Sequence, residues 1–360
     1  MNIERILEHL SPLIACDSQN PPREITPAAP MFDYVRSMLP KSFQIKMTDH
    51  GDGHVTLFAL RGQPQVLFNC HLDTVPAGEG WSVPPLRLTV RDGRAWGRGA
   101  CDIKGAAAAL LAVAETTDAP MALLFTSDEE GAAGCCVREF LATEAAGDFR
   151  QAVVCEPTGK RAVLSHRGFL SVLGHFTGTA GHSSAFRALQ DNAVHAAGRW
   201  MAAAVDYCAQ EAEAGRHTCF NVGRIEGGLK SNVIADGCDL HYSARLAPGQ
   251  DNQALLDAIS GLAGADGRAE WKVPFSGPPL PSGGRTGEAA RAFAQARGLD
   301  ITDSVDFWTE ASLFSAAGMD AIVLGPGYIE QAHTVDEWVA LGQLETAAKQ
   351  YRAIVEAGAA

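Results

Sequence analysis

The sequence is short of positive charge. Lys and Arg total 29 against 42 Asp and Glu, a formal net charge of −13 over 360 residues. That deficit argues against nucleic acid and anionic membrane surfaces as partners. No apolar stretch reaches the roughly 18 residues that a membrane-spanning helix needs. The opening MNIERILEHL breaks its aliphatics with acids, Arg5 and His9. It reads as an amphipathic helix rather than a signal peptide. The nine cysteines are an odd number without zinc-finger spacing. They read as reduced thiols and point to the cytoplasm. There is no nucleophile elbow G-x-S-x-G. GRGACDIKG contains a G-x-G but lacks the spacing of a dinucleotide fingerprint or a P-loop. No internal repeat and no low-complexity segment occurs.

What is present fits two domains. At this length one simple core is too small a solution. Up to residue 167 strands and helices alternate: helices at 2–15, 26–39, 106–116 and 135–145, and strands at 43–48, 54–60, 65–70, 86–90, 121–127 and 152–156. This order predicts an α/β sheet with helices on both faces. From 168 to 274 the order becomes β-α-β-β-α-β, the ferredoxin-like split βαβ pattern. After Pro281 the alternation resumes, with helices at 287–297, 310–317 and 336–357 and strands near 300–305 and 321–327. The expected architecture is therefore an α/β catalytic domain, 1–167 plus 275–360, interrupted by a smaller α+β insertion.

Acids and histidines gather at strand ends of the first domain. VLFNCHLDTVP carries His71 and Asp73, LLFTSDEEG carries Glu129 and Glu130, and AVVCEPT carries Glu156. GRGACDIKG places Asp102 before a helix, and GPGYIEQAHTVDEW carries His333. In open α/β sheets, sites form outside the carboxyl ends of the strands. Three acids in a row, Asp128 to Glu130, raise one another's pKa unless positive charge sits among them. His71 and Asp73 are two apart and share one side of an extended chain. A carboxylate there fixes the imidazole of a metal ligand. The donors suit Zn²⁺, Co²⁺ or Mn²⁺. Four carboxylates and two histidines exceed one tetrahedral site. They fit two metals about 3.5–4 Å apart, with one bridging carboxylate and one acid left to act on water. Taken singly, each has an ordinary reading: Asp102 as a helix N-cap, DEE as a solvated loop. Thr334 with Glu337 three residues later reads as a capping box.

HLDTVP, GRGACDIKG, SDEEG, EPT, GTAGHSS, EGGLKSNVIAD and GPGYIEQAHTVDEW together resemble the acetylornithine deacetylase and succinyl-diaminopimelate desuccinylase family of di-zinc metallopeptidases. The resemblance runs in order over nearly the whole chain. VDFWTEASLFSAAG brings it nearest to the acetylornithine deacetylases, in their acetylcitrulline deacetylase branch. It implies a zinc exopeptidase-like catalytic domain with a central mixed sheet. It implies that His71 and Glu156 bind one metal, Glu130 and His333 the other, and that Asp102 bridges. Glu129 is then the general base and Asp73 the partner of His71. The insertion becomes a lid and dimerisation domain, with His182 reaching the partner subunit's site to stabilise an oxyanion. Asn232 and Arg245 hold the substrate, and Glu310 meets its polar group. Leu72 and Ile103 stand where many relatives have Thr and Met, and neither is a ligand position. The expected cofactors are two Zn²⁺, with Co²⁺ as a substitute, and the expected partners are an acylated amino acid and a second copy of the chain. The expected reaction removes an acetyl group from N-acetylornithine or N-acetylcitrulline, as in arginine biosynthesis. A desuccinylase, a dipeptidase and a non-catalytic metal-binding relative are the rival readings.

Cys70, Cys101 and Cys155 each precede a proposed ligand. One reading is thiolate ligation; the other, preferred, is that alternation turns these side chains into the layer behind the site, where small buried thiols are common.

Overall fold

The computed structural model describes residues 2–22, 24–131, 135–265 and 267–358, with the backbone alone at Cys135. Two compact units emerge, Met1–Ser165 with Gly283–Ser304 and Thr309–Ala360, and His166–Ser282 with Val305–Trp308. The second unit therefore extends past the expected 168–274 at both ends and takes in Val305–Trp308.

The first unit is built on a six-stranded mixed sheet. In spatial order its strands are Gln44–Asp49, Val55–Arg61, Met121–Thr126, Val66–His71, Gln151–Val154 and Asp320–Val323. The first two junctions are antiparallel and the last three parallel. The parallel strands are buried along nearly their whole length, as continuous apolar runs demand when both faces are covered. Parallel pairing has a functional consequence: the carboxyl ends of four neighbouring strands open on one edge of the sheet.

Helix Lys104–Thr116 is buried from Lys104 to Ala114. Its alanines leave room for close approach, and helices Ile3–Ala15 and Leu341–Ala357 pack against it. Asn2 caps the first of these by accepting the Glu4 N–H. Gly105 lies where a Cβ would collide with the Ala100 carbonyl. Only glycine lets the chain enter this helix directly after Asp102.

Two expectations fail near the chain's end. Residues 300–305 form only isolated bridges to Ala162 and His166, not a strand. The expected helix 336–357 splits into strand Trp338–Ala340 and helix Leu341–Ala357. The strand pairs with Arg94–Trp96, and that pairing overrides the local helix signal.

The second unit has the expected β-α-β-β-α-β order. Its sheet runs Cys219–Gly227, Gly237–Leu246, Gly168–Thr177, Ala269–Gly277, all antiparallel. Helices Ala193–Glu213 and Asn252–Gly261 are capped by Asn192 and Asp251. They bury a cluster that includes Phe176, Trp200, Leu240 and Tyr242.

Candidate metal centre

The strand-end residues converge. Nε2 of His71, on the last residue of its strand, lies 3.1 Å from Asp102 Oδ1 and 3.5 Å from Glu156 Oε1. Nε2 of His333 lies 3.1 Å from Asp102 Oδ2 and 3.1 Å from Glu130 Oε1. Asp102 thus turns one oxygen to each imidazole. Ligand atoms of His71, Asp102 and Glu130 fall within 4.8 Å of one another. Asp102 does not cap the following helix: Ile103 holds that position, without a side-chain cap.

Behind this cluster, Nδ1 of His71 donates to the Asp73 carbonyl at 3.0 Å and sits 3.4 Å from its Oδ1. That leaves Nε2 free to face Asp102 and Glu156. Oδ2 of Asp73 accepts from Glu130 N–H at 3.0 Å and from Asn20 Nδ2 at 3.1 Å. Asn20 also donates to the Ser127 carbonyl at 3.0 Å. Asn20 is not among the site residues expected from the sequence. Its only signal was a polar amide beside two prolines.

Glu337 departs from expectation. It does not form a capping box with Thr334, whose hydroxyl donates instead to the Gln331 carbonyl. Glu337 is fully buried and accepts the N–H groups of Gly99, Cys101 and Asp102. It also pairs with Arg98 at 2.7 Å. No helix starts at this point to be capped. His333 sits with φ 59°, a left-handed conformation sparsely used by non-glycine residues and common where a site fixes its backbone.

The electrostatics are those of acids crowded out of water. Burial, and then Glu156 and Glu130, push Glu129 well up, with His71 opposing. Burial and Asp102 push Glu156 up, and burial also raises Glu130 against its bond to His333. Burial works against charge on Asp102, but hydrogen bonds to His333 and His71 outweigh it and hold its carboxyl well below the usual range. Asp102 and Glu130 together pull His333 up to about 11. Oε1 of Glu156 is buried without a hydrogen-bond partner among the described residues. A buried orphan oxygen facing the Nε2 of His71 is what a cation would satisfy, and the nitrogen and oxygen donors suit divalent metals. Glu129 follows strand Met121–Thr126, is partly buried, and has no hydrogen-bond partner among the described residues. Glu310 is only 1 % exposed. It lies among the buried acids, with Asp128, Asp73 and His71 in electrostatic reach.

The remaining expected residues lie in the second unit. His182 is exposed, and its Nδ1 accepts the Ser184 N–H at 3.2 Å, which puts the ring proton on Nε2. Across a two-residue ladder it pairs with Val233, and Ser183 N–H donates to the Asn232 carbonyl. Arg245 lies on strand Gly237–Leu246 opposite Phe169, its guanidinium 3.9 Å above that ring. Burial lowers its pKa. The ladder carrying His182 and Asn232 continues the hairpin beyond the Gly237–Thr177 pair, while Arg245 stands eight residues further along the strand. At 3.3–3.4 Å per residue that separates them by about 27 Å. The structure brings His182 and Asn232 together and sets Arg245 apart.

Residues 67–357 match Peptidase family M20/M25/M40, and the chain belongs to this family. It is 47% identical over 348 residues to an N-acetyl-L-citrulline deacetylase of Xanthomonas campestris pv. campestris, covering 94% of each chain. It is 30% identical over 360 residues to an acetylornithine deacetylase of Myxococcus xanthus, covering 93% of this chain and 92% of that one. Among solved structures, the aminopeptidase PepT of Bacillus cereus superposes with a TM-score of 0.76 over 100% of both chains, at 19% identity. That last likeness speaks for the fold.

Proposed function

We propose that the chain is a di-metal amide hydrolase that removes the acetyl group from an N-acetylated amino acid of the citrulline or ornithine type, within arginine biosynthesis. The observation that carries the reading is Asp102, with one oxygen toward His71 and the other toward His333, each at 3.1 Å. His71 and Glu156 would hold one cation, Glu130 and His333 the other, and Asp102 both. Zn²⁺ fits these donors, with Co²⁺ as a substitute. Divalent cations held there would supply Lewis acidity toward a scissile carbonyl and lower the pKa of water.

The chain's own residues supply the rest. Glu129, unpartnered among the described residues and raised above the ordinary carboxylate range, takes a proton from the attacking water and returns it to the leaving amine. Asp73 holds the His71 ring in the required tautomer. His182, with its proton on Nε2, is a donor suited to the carbonyl oxygen as negative charge develops there. Arg245, its plane stacked on Phe169, offers a fork to the substrate's α-carboxylate. Glu310, buried among the acids, would meet the polar group of the substrate.

The same reading makes the second unit a lid and dimerisation domain. The roughly 27 Å of strand from Gly237 to Arg245 supports a second copy as the source of His182 and Asn232. Two copies, each lending His182 and Asn232 to the other, resolve the distance. The eight cysteines with described side chains are all free thiols, in keeping with a reducing, cytoplasmic setting.

The test is a substrate panel. Protein loaded with Zn²⁺ or Co²⁺ is offered acetylcitrulline, acetylornithine, succinyl-diaminopimelate and dipeptides, with amine release followed. Preference for an acetylated substrate is expected. Activity confined to the succinylated compound or to dipeptides overturns the substrate assignment, and inactivity with two metals bound overturns the catalytic reading.

A further inference from the structure

The segment that carries Glu129 and Glu130 is pinned from behind by a turn that lies outside the candidate metal centre. Val55 N–H donates to Ser127 Oγ at 2.9 Å, and Ser127 Oγ donates to the Gly53 carbonyl at 2.8 Å. One residue on, Asp128 is fully buried. Its Oδ2 accepts the Cys136 backbone N–H at 2.8 Å and lies 2.9 Å from His54 Nδ1. His54 is the accessible member, with 21% of its side chain exposed. The family resemblance gives this histidine no role.

His54, Asp128 and Cys136 place ligand atoms within 4.8 Å of one another, which raises the question of a further metal site. Two observations oppose it. Oδ2 of Asp128 already faces two hydrogen-bond donors. The Cys136 thiol is turned to the Val55 carbonyl, to which it donates at 3.4 Å.

We propose instead that His54 is a positioning residue for Glu129 and Glu130, acting through its hydrogen bond to Asp128. The inference rests on the roles given above to those two glutamates. Asp128 is a fully buried carboxylate at the point where the strand ends and the next residue must turn toward the reacting water. Its direction is fixed only if its oxygens are held by donors. The Cys136 N–H supplies one such donor and the His54 ring another. Removing the ring nitrogen leaves a buried carboxylate with one donor fewer, and such a group shifts to recover a partner. Glu129 is the adjacent residue and Glu130 the next, so a shift moves both. Placement of such groups is tolerated only within a fraction of an ångström.

The experiment compares His54→Leu and His54→Asn with wild type. Three quantities are read: kcat and KM on the preferred acetylated substrate, metal retained against a competing chelator, and Tm. His54→Leu is expected to lower kcat about tenfold, the low end for partners standing behind metal ligands. Its KM stays near wild type and metal is lost to the chelator sooner. His54→Asn, whose side-chain N–H replaces the ring donor, recovers most of both losses. A His54→Leu protein with wild-type kcat and metal retention overturns the inference. So does a His54→Asn protein as impaired as His54→Leu, which assigns the ring to packing alone. If wild type hydrolyses no acylated amino acid, the functional reading fails by itself. Metal retention in the two variants still decides the role of His54.

Discussion

Glu337 accepts the backbone N–H of Asp102 at 3.0 Å, on the oxygen that also accepts Cys101 N–H at 2.8 Å. Its other oxygen takes Gly99 N–H and Arg98 Nη1. A single buried carboxylate therefore shapes the turn that aims Asp102. Glu337→Gln keeps the volume but strands the Arg98 guanidinium, which is only 2 % exposed. Breaking a buried pair from one side costs about 3–5 kcal/mol. Urea denaturation should show that loss, and chelator competition should show weaker metal retention. An unchanged midpoint would mean that the turn holds without Glu337.

Glu129 and Glu130 are neighbours with different surroundings, so their amides should fail differently. Glu130 bonds to His333 and takes support from Asp73. Glu129 has no such partner. Glu129→Gln should retain two metals and lose turnover by about 100-fold or more, the scale of general base catalysis. Glu130→Gln should lose metal first and activity with it. Metal content by elemental analysis beside kcat separates them. Turnover surviving in Glu129→Gln would sink the base assignment.

Much of this was legible beforehand because it follows from periodicity. Apolar runs ending at His71, Thr126 and Val154 mark parallel strands, and acids just beyond such ends mark a site. What stayed hidden depends on contacts between segments remote in sequence. Asn20 reaches Asp73 across 53 residues, and Glu337 reaches Asp102 across 235. Glu337 was misread because Thr-x-x-Glu is a local signal. The pairing of Trp338–Ala340 with Arg94–Trp96 overrides it. The burial of Glu310 also stayed hidden, because it cannot be read from neighbours such as Trp308 and Thr309.

Cys70, Cys101 and Cys155 are all fully buried, and burial raises each thiol well above its ordinary range. Cys70 Sγ lies 3.6 Å from the Ile103 carbonyl, and Cys101 Sγ 3.5 Å from the Tyr328 carbonyl. These are core thiols. Replacing each with Ala should leave metal stoichiometry intact. It should cost about 1–2 kcal/mol in the packed layer, as small core deletions do. Loss of a metal ion in any of the three would show that the sulfur takes part in binding.

Glu310 supplies the pH signature. Burial, and next the charge of Asp128, push its pKa up to about 8 from an ordinary 4.5. Between these values the folded protein keeps a proton that the unfolded chain releases. Stability therefore falls as pH rises through that window. The prediction concerns metal-free protein, because cations nearby favour the charged carboxylate. Glu310→Gln removes the titration. Its Tm relative to wild type should become steadily more favourable from pH 5 to pH 9, although both proteins carry other titrating groups. The difference between the two melting curves isolates this one carboxyl. A difference that stays flat across the window would show that Glu310 is already ionised at neutral pH. Its charge would then have to be balanced from within the site.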